Sequence, residues 1–145
     1  MIKIDVRKAT KKDAEQINQL CLAMPSLLSN VTYSADKQLF IVAEHEHSII
    51  GVSRLCHDQR HIMLRTMRVL PEFQSYGVGK KILLSIHGIL NGLECYCVPY
   101  PHLIKFYESI GFAKIEEKYS PKAIQKAYKK YHHLGMDMAL MRKAA

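Results

Sequence analysis

Little in this chain suits a membrane, a metal or a secreted scaffold. No apolar run reaches the ~20 residues a bilayer-spanning helix needs. The four cysteines, Cys21, Cys56, Cys95 and Cys97, include no C-x-x-C pair. That spacing fits neither a zinc finger nor a thioredoxin-type site. Cys95 and Cys97 flank Tyr96 in an expected strand and so share a face, and all four cysteines read as reduced core thiols. Residues 1–6 alternate like a strand and lack the apolar block of a signal peptide, so the expected location is the cytoplasm. His132-His133 lacks a third ligand at metal spacing, and Met136 and Met138 alternate as core residues do, so no metal is expected. Acids are also scarce: 13 Asp and Glu stand against 21 Lys and Arg, for a formal charge of +8. That excess suits an anionic ligand. The cations come in scattered pairs, Lys11-Lys12, Lys80-Lys81, Lys129-Lys130 and Arg142-Lys143, with no long basic block. Without a nucleic-acid motif they read as solvated surface charge, and nucleic acid is not an expected partner.

What is present reads as one ordinary globular domain over residues 1–145, long enough for a full core. Hydrophobic residues make up 48% and charged residues 23%, an unexceptional soluble composition. Repeats, low-complexity segments and linkers are absent. Residues 2–7 read as a strand. Thr10 with Asp13 resembles a capping box before a helix carrying Ala14, Ile17, Leu20 and Cys21, which Pro25 ends. A loop or short helix fills 26–36. Strands follow at 39–43, 49–56 and 62–69, separated by polar turns at 44–48 and 57–61. Val78, Ile82, Ile86 and Ile89 or Leu90 form a helical face closed by Asn91-Gly92. Then come a strand at 93–98, a short helix with Leu103, Phe106, Tyr107 and Ile110 inward and Gly111 as its stop, and a strand at 112–118. A helix at 121–131 and a closing strand at 136–141 complete the order. The class is mixed α/β: a mostly antiparallel, twisted central sheet of about six or seven strands flanked by helices, with a parallel neighbour in the second half.

The segment from Val69 to Lys81, VLPEFQSYGVGKK, is the most informative stretch. It reads as a strand end, a glycine turn and the first turn of a helix. Helix-start N–H groups lack intrahelical partners and sit at the positive end of the dipole, so this is an anion site. A P-loop needs G-x-x-x-x-G-K-[ST]; here Gln74 stands where its first glycine should be, and Lys81 follows Gly79-Lys80. A dinucleotide fingerprint needs a third glycine where Ile82 stands, and a parallel lead strand.

Gln74-x-x-Gly77-x-Gly79 instead resembles the acyl-CoA loop of the GNAT superfamily of N-acetyltransferases, Q/R-x-x-G-x-G/A. The strand end Met67-Arg68-Val69-Leu70-Pro71-Glu72 and the downstream Phe106-Tyr107-Glu108-Ser109-Ile110-Gly111-Phe112 resemble that family too. The similarity by motif covers about residues 62–115. The resemblance implies a GNAT-type sheet and an acetyl-CoA-dependent N-acetyltransferase that passes the acetyl group directly to a primary amine. It implies that the backbone of Met67, Arg68 and Val69 pairs with the pantetheine arm. It places the pyrophosphate on Gln74, Ser75, Tyr76, Gly77, Val78, Gly79 and Lys80. It makes Tyr107 the general acid that protonates the leaving thiolate, although the same tyrosine lies on an apolar stripe and also reads as core.

The chain departs from the family pattern twice. Tyr100, between Pro99 and Pro101, stands where members often have a cofactor-holding Asn. Residues 62–69 carry no acid to serve as a base; His57, Asp58 and His61 stand at the start of that region but read better as exposed turn residues, and a relay through bulk water is the alternative. Two further readings therefore stand beside the enzyme: a non-catalytic acyl-CoA-binding or sensor domain, and a basic nucleic-acid-associated protein. The acceptor is an amine of unread identity, a small molecule or a peptide. The scarcity of acids disfavours polycationic acceptors, and the chain is read as a monomer or a homodimer.

Overall fold

Apolar residues at 39–43 and again through 49–55 pair as a hairpin because the two-residue turn between them, Glu46-His47, adopts φ of +48° and +67°. A left-handed turn matches the right-handed twist of its strands. The computed structural model describes residues 2–24 and 31–145. Its elements are β1 (Asp5–Lys8), α1 (Ala14–Ala23), β2 (Gln38–His45), β3 (Ser48–Asp58), β4 (His61–Val69), α2 (Val78–Leu90), β5 (Cys95–Cys97), α3 (Ile104–Glu108), β6 (Phe112–Lys114), α4 (Lys122–His133) and β7 (Met141–Lys143). Short 3-10 turns precede α1, α2 and α3, and another lies between β6 and α4.

The strands form one seven-stranded sheet in the order β1-β2-β3-β4-β5-β7-β6. β1 runs antiparallel to β2, with Val6 opposite Ala43. β4 and β5 are parallel, Met63 opposite Tyr96 and Leu64 opposite Cys97. β7 is antiparallel to both β5 and β6. This is the mixed, mostly antiparallel sheet that the sequence predicts, with a parallel pair, β4 and β5, where a strand–helix–strand passage requires it.

By internal contacts the chain divides into two units, Met1–Leu55 with Thr66–Ile89, and Cys56–Arg65 with Leu90–Ala145. In the first, Ile17, Leu20 and Cys21 of α1 pack with Val31, Phe40, Val42, Ile49 and Val52. Its α1 entry is pinned by Asp13, whose carboxylate accepts both guanidinium nitrogens of Arg7 at 2.8 Å and the Thr10 N–H at 2.8 Å. These bonds, led by the one to Arg7, hold the Asp13 carboxyl down at about 2. In the second unit, Met63, Tyr96 and Leu140 pack with Ile124 and Ala127 of α4.

Four predicted strands are shorter than expected: the one at 2–7 forms only over Asp5–Lys8 and the one at 93–98 only over Cys95–Cys97. The strand expected at 112–118 stops at Lys114, and residues 117–119 form a 3-10 turn instead. The closing strand expected at 136–141 begins only at Met141. Met138, Ala139 and Leu140 are buried, but their extended backbone makes isolated bonds, Ala139 N–H to Pro99 O and Ile115 N–H to Leu140 O. Burial alone gave that segment its apolar pattern. The loop or short helix expected at 26–36 lies partly outside the described residues, and 31–35 carries no regular element.

Candidate active site

The route from β4 into α2 is built in the first unit. Leu70 N–H bonds to Ile50 O at 2.9 Å, keeping the strand end on β3. Pro71 opens a 3-10 turn, Pro71–Tyr76, and Gly77 ends it in the left-handed conformation, φ 73° and ψ 22°. Gln74 Nε2 donates to Val69 O at 2.9 Å, tying the turn to the strand it left. Lys81 N–H reaches Gly77 O at 3.1 Å, the first bond of α2. Gly77 thus occupies the N-cap position, where Ser, Thr, Asp or Asn would turn a side-chain oxygen onto the helix N–H groups. It has no side chain to do so.

The N–H groups of Val78, Gly79 and Lys80 precede that first bond and have no intrahelical acceptor. The first turn of α2 carries no acid; Lys80 and Lys81, both exposed, stand there instead. Cations at a helix start oppose its dipole by a few tenths to 1 kcal/mol each, an arrangement that an anion would relieve. The surface there is open: a Cβ added at Gly77 would have nothing within 4 Å. The loop therefore fits a pyrophosphate in charge, donors and access.

α2 is held against β3 by a close approach. A Cβ on Gly51 would meet Ile82 Cδ1 and Val78 Cγ1 at 3.1 Å and Arg68 O at 3.4 Å. Val78, Ile82, Leu83 and Ile86 are wholly buried behind the loop. Gly51 was not among the expected site residues. Its signal was available, since an isolated glycine inside a strand pattern marks a bulge or a close backbone approach.

The expected site residues upstream of the loop are placed at the end of β4. Met67, Arg68 and Val69 are half-buried. The described β4–β5 register pairs Met63 and Leu64. Two residues beyond Leu64, Thr66 has φ of +60°, a conformation rarely adopted by a β-branched residue. Arg54 Nε donates to Thr66 Oγ1 at 2.9 Å, and Arg54 Nη1 to Gln38 Oε1 at 2.9 Å. The strained residue is thus braced from β3, which the sequence patterns did not reveal.

Tyr107 belongs to the second unit. It is 6% exposed on α3, with its ring against Phe106 and Phe112 at edge-on angles. Burial, with the Cys97 thiol nearby as a second cause, pushes its phenol well above the ordinary tyrosine value. The hydroxyl therefore keeps its proton through the neutral range. Burial likewise raises the Cys97 thiol and pushes that of Cys95 up to about 12. Cys21, Cys95 and Cys97 are buried free thiols, as expected; Cys56 is only half-buried.

Tyr100, standing where an Asn was expected, is exposed and stacks on His102 with centroids 5.8 Å apart. His61 lies edge-on to Tyr96 at 6.1 Å, and His57 is exposed. Among the described residues no group of three His, Cys, Asp or Glu could hold a metal ion, and no helix is long and apolar enough to cross a membrane.

Comparison with known proteins adds to this geometry. The model of the acetyltransferase (GNAT) domain matches residues 36–114. No curated protein sequence matches the chain. Among solved structures, N-acetylglutamate synthase of Neisseria gonorrhoeae, complexed with coenzyme A and N-acetyl-glutamate, is 18% identical with a TM-score of 0.73. The match covers 99% of this chain but 35% of that one, so the chain spans about a third of that enzyme's length. The PaiA N-acetyltransferase of Thermoplasma acidophilum, in complex with coenzyme A, is 17% identical with a TM-score of 0.65 over 99% of this chain and 100% of the other. The IAA acetyltransferase of Bacillus cereus is 21% identical, TM-score 0.69, over 99% and 100%. At these identities the structures speak for the fold, which they share.

Proposed function

Because the chain belongs to the GNAT acetyltransferase family, we propose that it is an acetyl-CoA-dependent N-acetyltransferase working directly on a primary amine, with residues 1–145 acting as one acyltransferase domain. The observation that carries the reading is the start of α2. A helix opened by a left-handed glycine, uncapped by a side chain and flanked by Lys80 and Lys81 is built for an anion. Gln74, Ser75, Tyr76, Gly77, Val78, Gly79 and Lys80 cradle the pyrophosphate through their N–H groups. The backbone of Met67, Arg68 and Val69 pairs with the pantetheine arm like an added strand.

In the transfer, the neutral amine nitrogen bonds to the thioester carbonyl carbon and the carbon–sulfur bond breaks. Tyr107 gives its hydroxyl proton to the departing sulfur and takes a proton back from water, so that the enzyme is restored, and the amine loses one proton to water. Water serves as the acceptor of that proton because residues 61–69 contain no carboxylate. Removing cationic charge from the amine before attack is then a matter of pH, and the rate rises with pH until the free amine predominates.

The same missing carboxylate, with Tyr100 exposed where an Asn was expected, favours one second reading: a domain that holds acyl-CoA without turning it over. One experiment separates the two. Acetyl-CoA is incubated with the chain and a panel of primary amines, including peptides with free N-termini, and free thiol is followed. Amine-dependent thiol release supports the transferase. A melting temperature raised by acetyl-CoA with no release from any amine supports the binding domain.

A further inference from the structure

Two arginines of the first unit stand on adjacent strands near the end of α1, and the transfer chemistry uses neither guanidinium. Arg68, on β4, donates Nη1 to Cys21 O at 3.3 Å. Arg54, on β3, is fixed by Thr66 and Gln38. Both guanidiniums lie close enough to the Cys21 thiol to oppose the rise that burial imposes on it. Thr66, which Arg54 reaches, stands two residues before Arg68 on β4, so the two arginines are near neighbours in the unit that also carries the loop.

On α1, the Gln16 carbonyl accepts from Ile49 N–H and the Asn18 carbonyl from Tyr33 N–H, and the one acid, Glu15, lies in the first turn, away from Cys21 at the far end. The carboxylates of Asp13 and Glu44 are engaged by Arg7. β4 contains no acid at all. Arg68 makes no salt bridge among the described residues, and its bond to Cys21 O is long and uses one of five donors. It is half-buried, so its charge is partly removed from water and gains from a counter-anion. An arginine fork with donors to spare matches a carboxylate in a bidentate way.

Resting on the transferase reading, we propose that Arg68, supported by Arg54, is the subsite for a carboxylate of the acceptor, so that the chain acetylates amines that also carry a carboxylate, amino acids or the acidic end of a peptide, rather than polyamines. The side chain of Arg68 would serve the acceptor while its backbone serves the acyl arm, two roles on opposite sides of one strand residue.

The test uses the intact chain, acetyl-CoA and matched acceptors: alanine, glutamate and phenylalanine, each as the free acid and as its carboxamide, with spermidine as the cationic comparison. Thiol release is expected to be at least about tenfold faster in kcat/KM for the free acids than for their amides, the scale of one charge-assisted hydrogen-bonded pair. In Arg68→Gln that preference should collapse toward unity through KM. Arg68→Lys, which keeps the charge but not the fork, should retain part of it and guards against a glutamine variant that fails to fold. Equal rates for acids and amides, a preference for spermidine, or a preference that survives Arg68→Gln overturns the proposal alone. Absence of release from every acceptor overturns the transferase reading together with it.

Discussion

Around Gly77 the chain offers backbone; around Tyr107 it offers one side chain. The loop is exposed from Gln74 to Gly77, its conformation fixed by one left-handed glycine and one bond from Gln74 to Val69 O. Tyr107 is buried between Phe106 and Phe112, and its one polar atom is the whole of its chemistry. A backbone site tolerates side-chain change where φ permits and fails when a Cβ is forced into the left-handed region. A side-chain site tolerates much backbone detail and fails when a single oxygen is removed.

The largest effect should come from that oxygen. Tyr107→Phe keeps the ring contacts and removes the proton donor, so kcat should fall ~10²–10⁴-fold while the melting shift produced by CoA persists. An unchanged kcat with a competent acceptor would make Tyr107 a core residue only. Gly77→Val should do the reverse. It forces a β-branched residue to φ +73°, costing about 1–2 kcal/mol, and puts a Cβ into the anion cradle. CoA affinity should fall by one to two orders of magnitude, read by calorimetry, with the fold retained by circular dichroism. Gly51→Val sharpens the comparison from behind, since its side chain would push Val78 and Ile82. It should lower both stability and CoA affinity, whereas Gly77→Val loses mainly affinity.

Smaller effects separate stability from function. Asp13→Ala removes the carboxylate that joins Arg7 to Thr10, and should cost about 1–3 kcal/mol in urea denaturation at pH 7 without altering the CoA shift. Because the folded Asp13 value is held at about 2, below its ordinary 3.8, its contribution is present above pH ~4 and is lost as pH falls through 2. The wild type should therefore lose more stability between pH 5 and pH 2 than Asp13→Ala does. Tyr107 acts with the opposite sign. Its raised value leaves the folded state protonated, so its stabilisation holds below pH ~10 and fades above it. No acid or neutral limb of the rate profile should belong to it.

Those two regions were also unequally legible in the sequence. Gly77 needed no structure to be noticed, because a position demanding φ above zero selects glycine and leaves a letter in the chain. The strands at 38–45, 48–58 and 61–69 and the helix at 78–90 were legible for a similar reason: alternation and 3.6-residue spacing are written directly by burial on one face. Tyr107 was ambiguous, since a core tyrosine and a catalytic one share the same apolar stripe. Met136 and Met138 misled, because an extended segment buried by side-chain packing alternates like a strand even where it has no ladder. The Arg54 brace on Thr66 was invisible, because it joins residues twelve apart on two strands and depends on a strained φ that no residue type announces.

The most direct test of the central claim is a calorimetric titration of coenzyme A into the wild-type chain and into Gly77→Val, with Tyr107→Phe as the matched control. The account predicts that wild type and Tyr107→Phe bind one equivalent with equal affinity, while Gly77→Val binds at least tenfold more weakly. Equal binding by all three would contradict it, because the cofactor would then be held somewhere other than the uncapped start of α2.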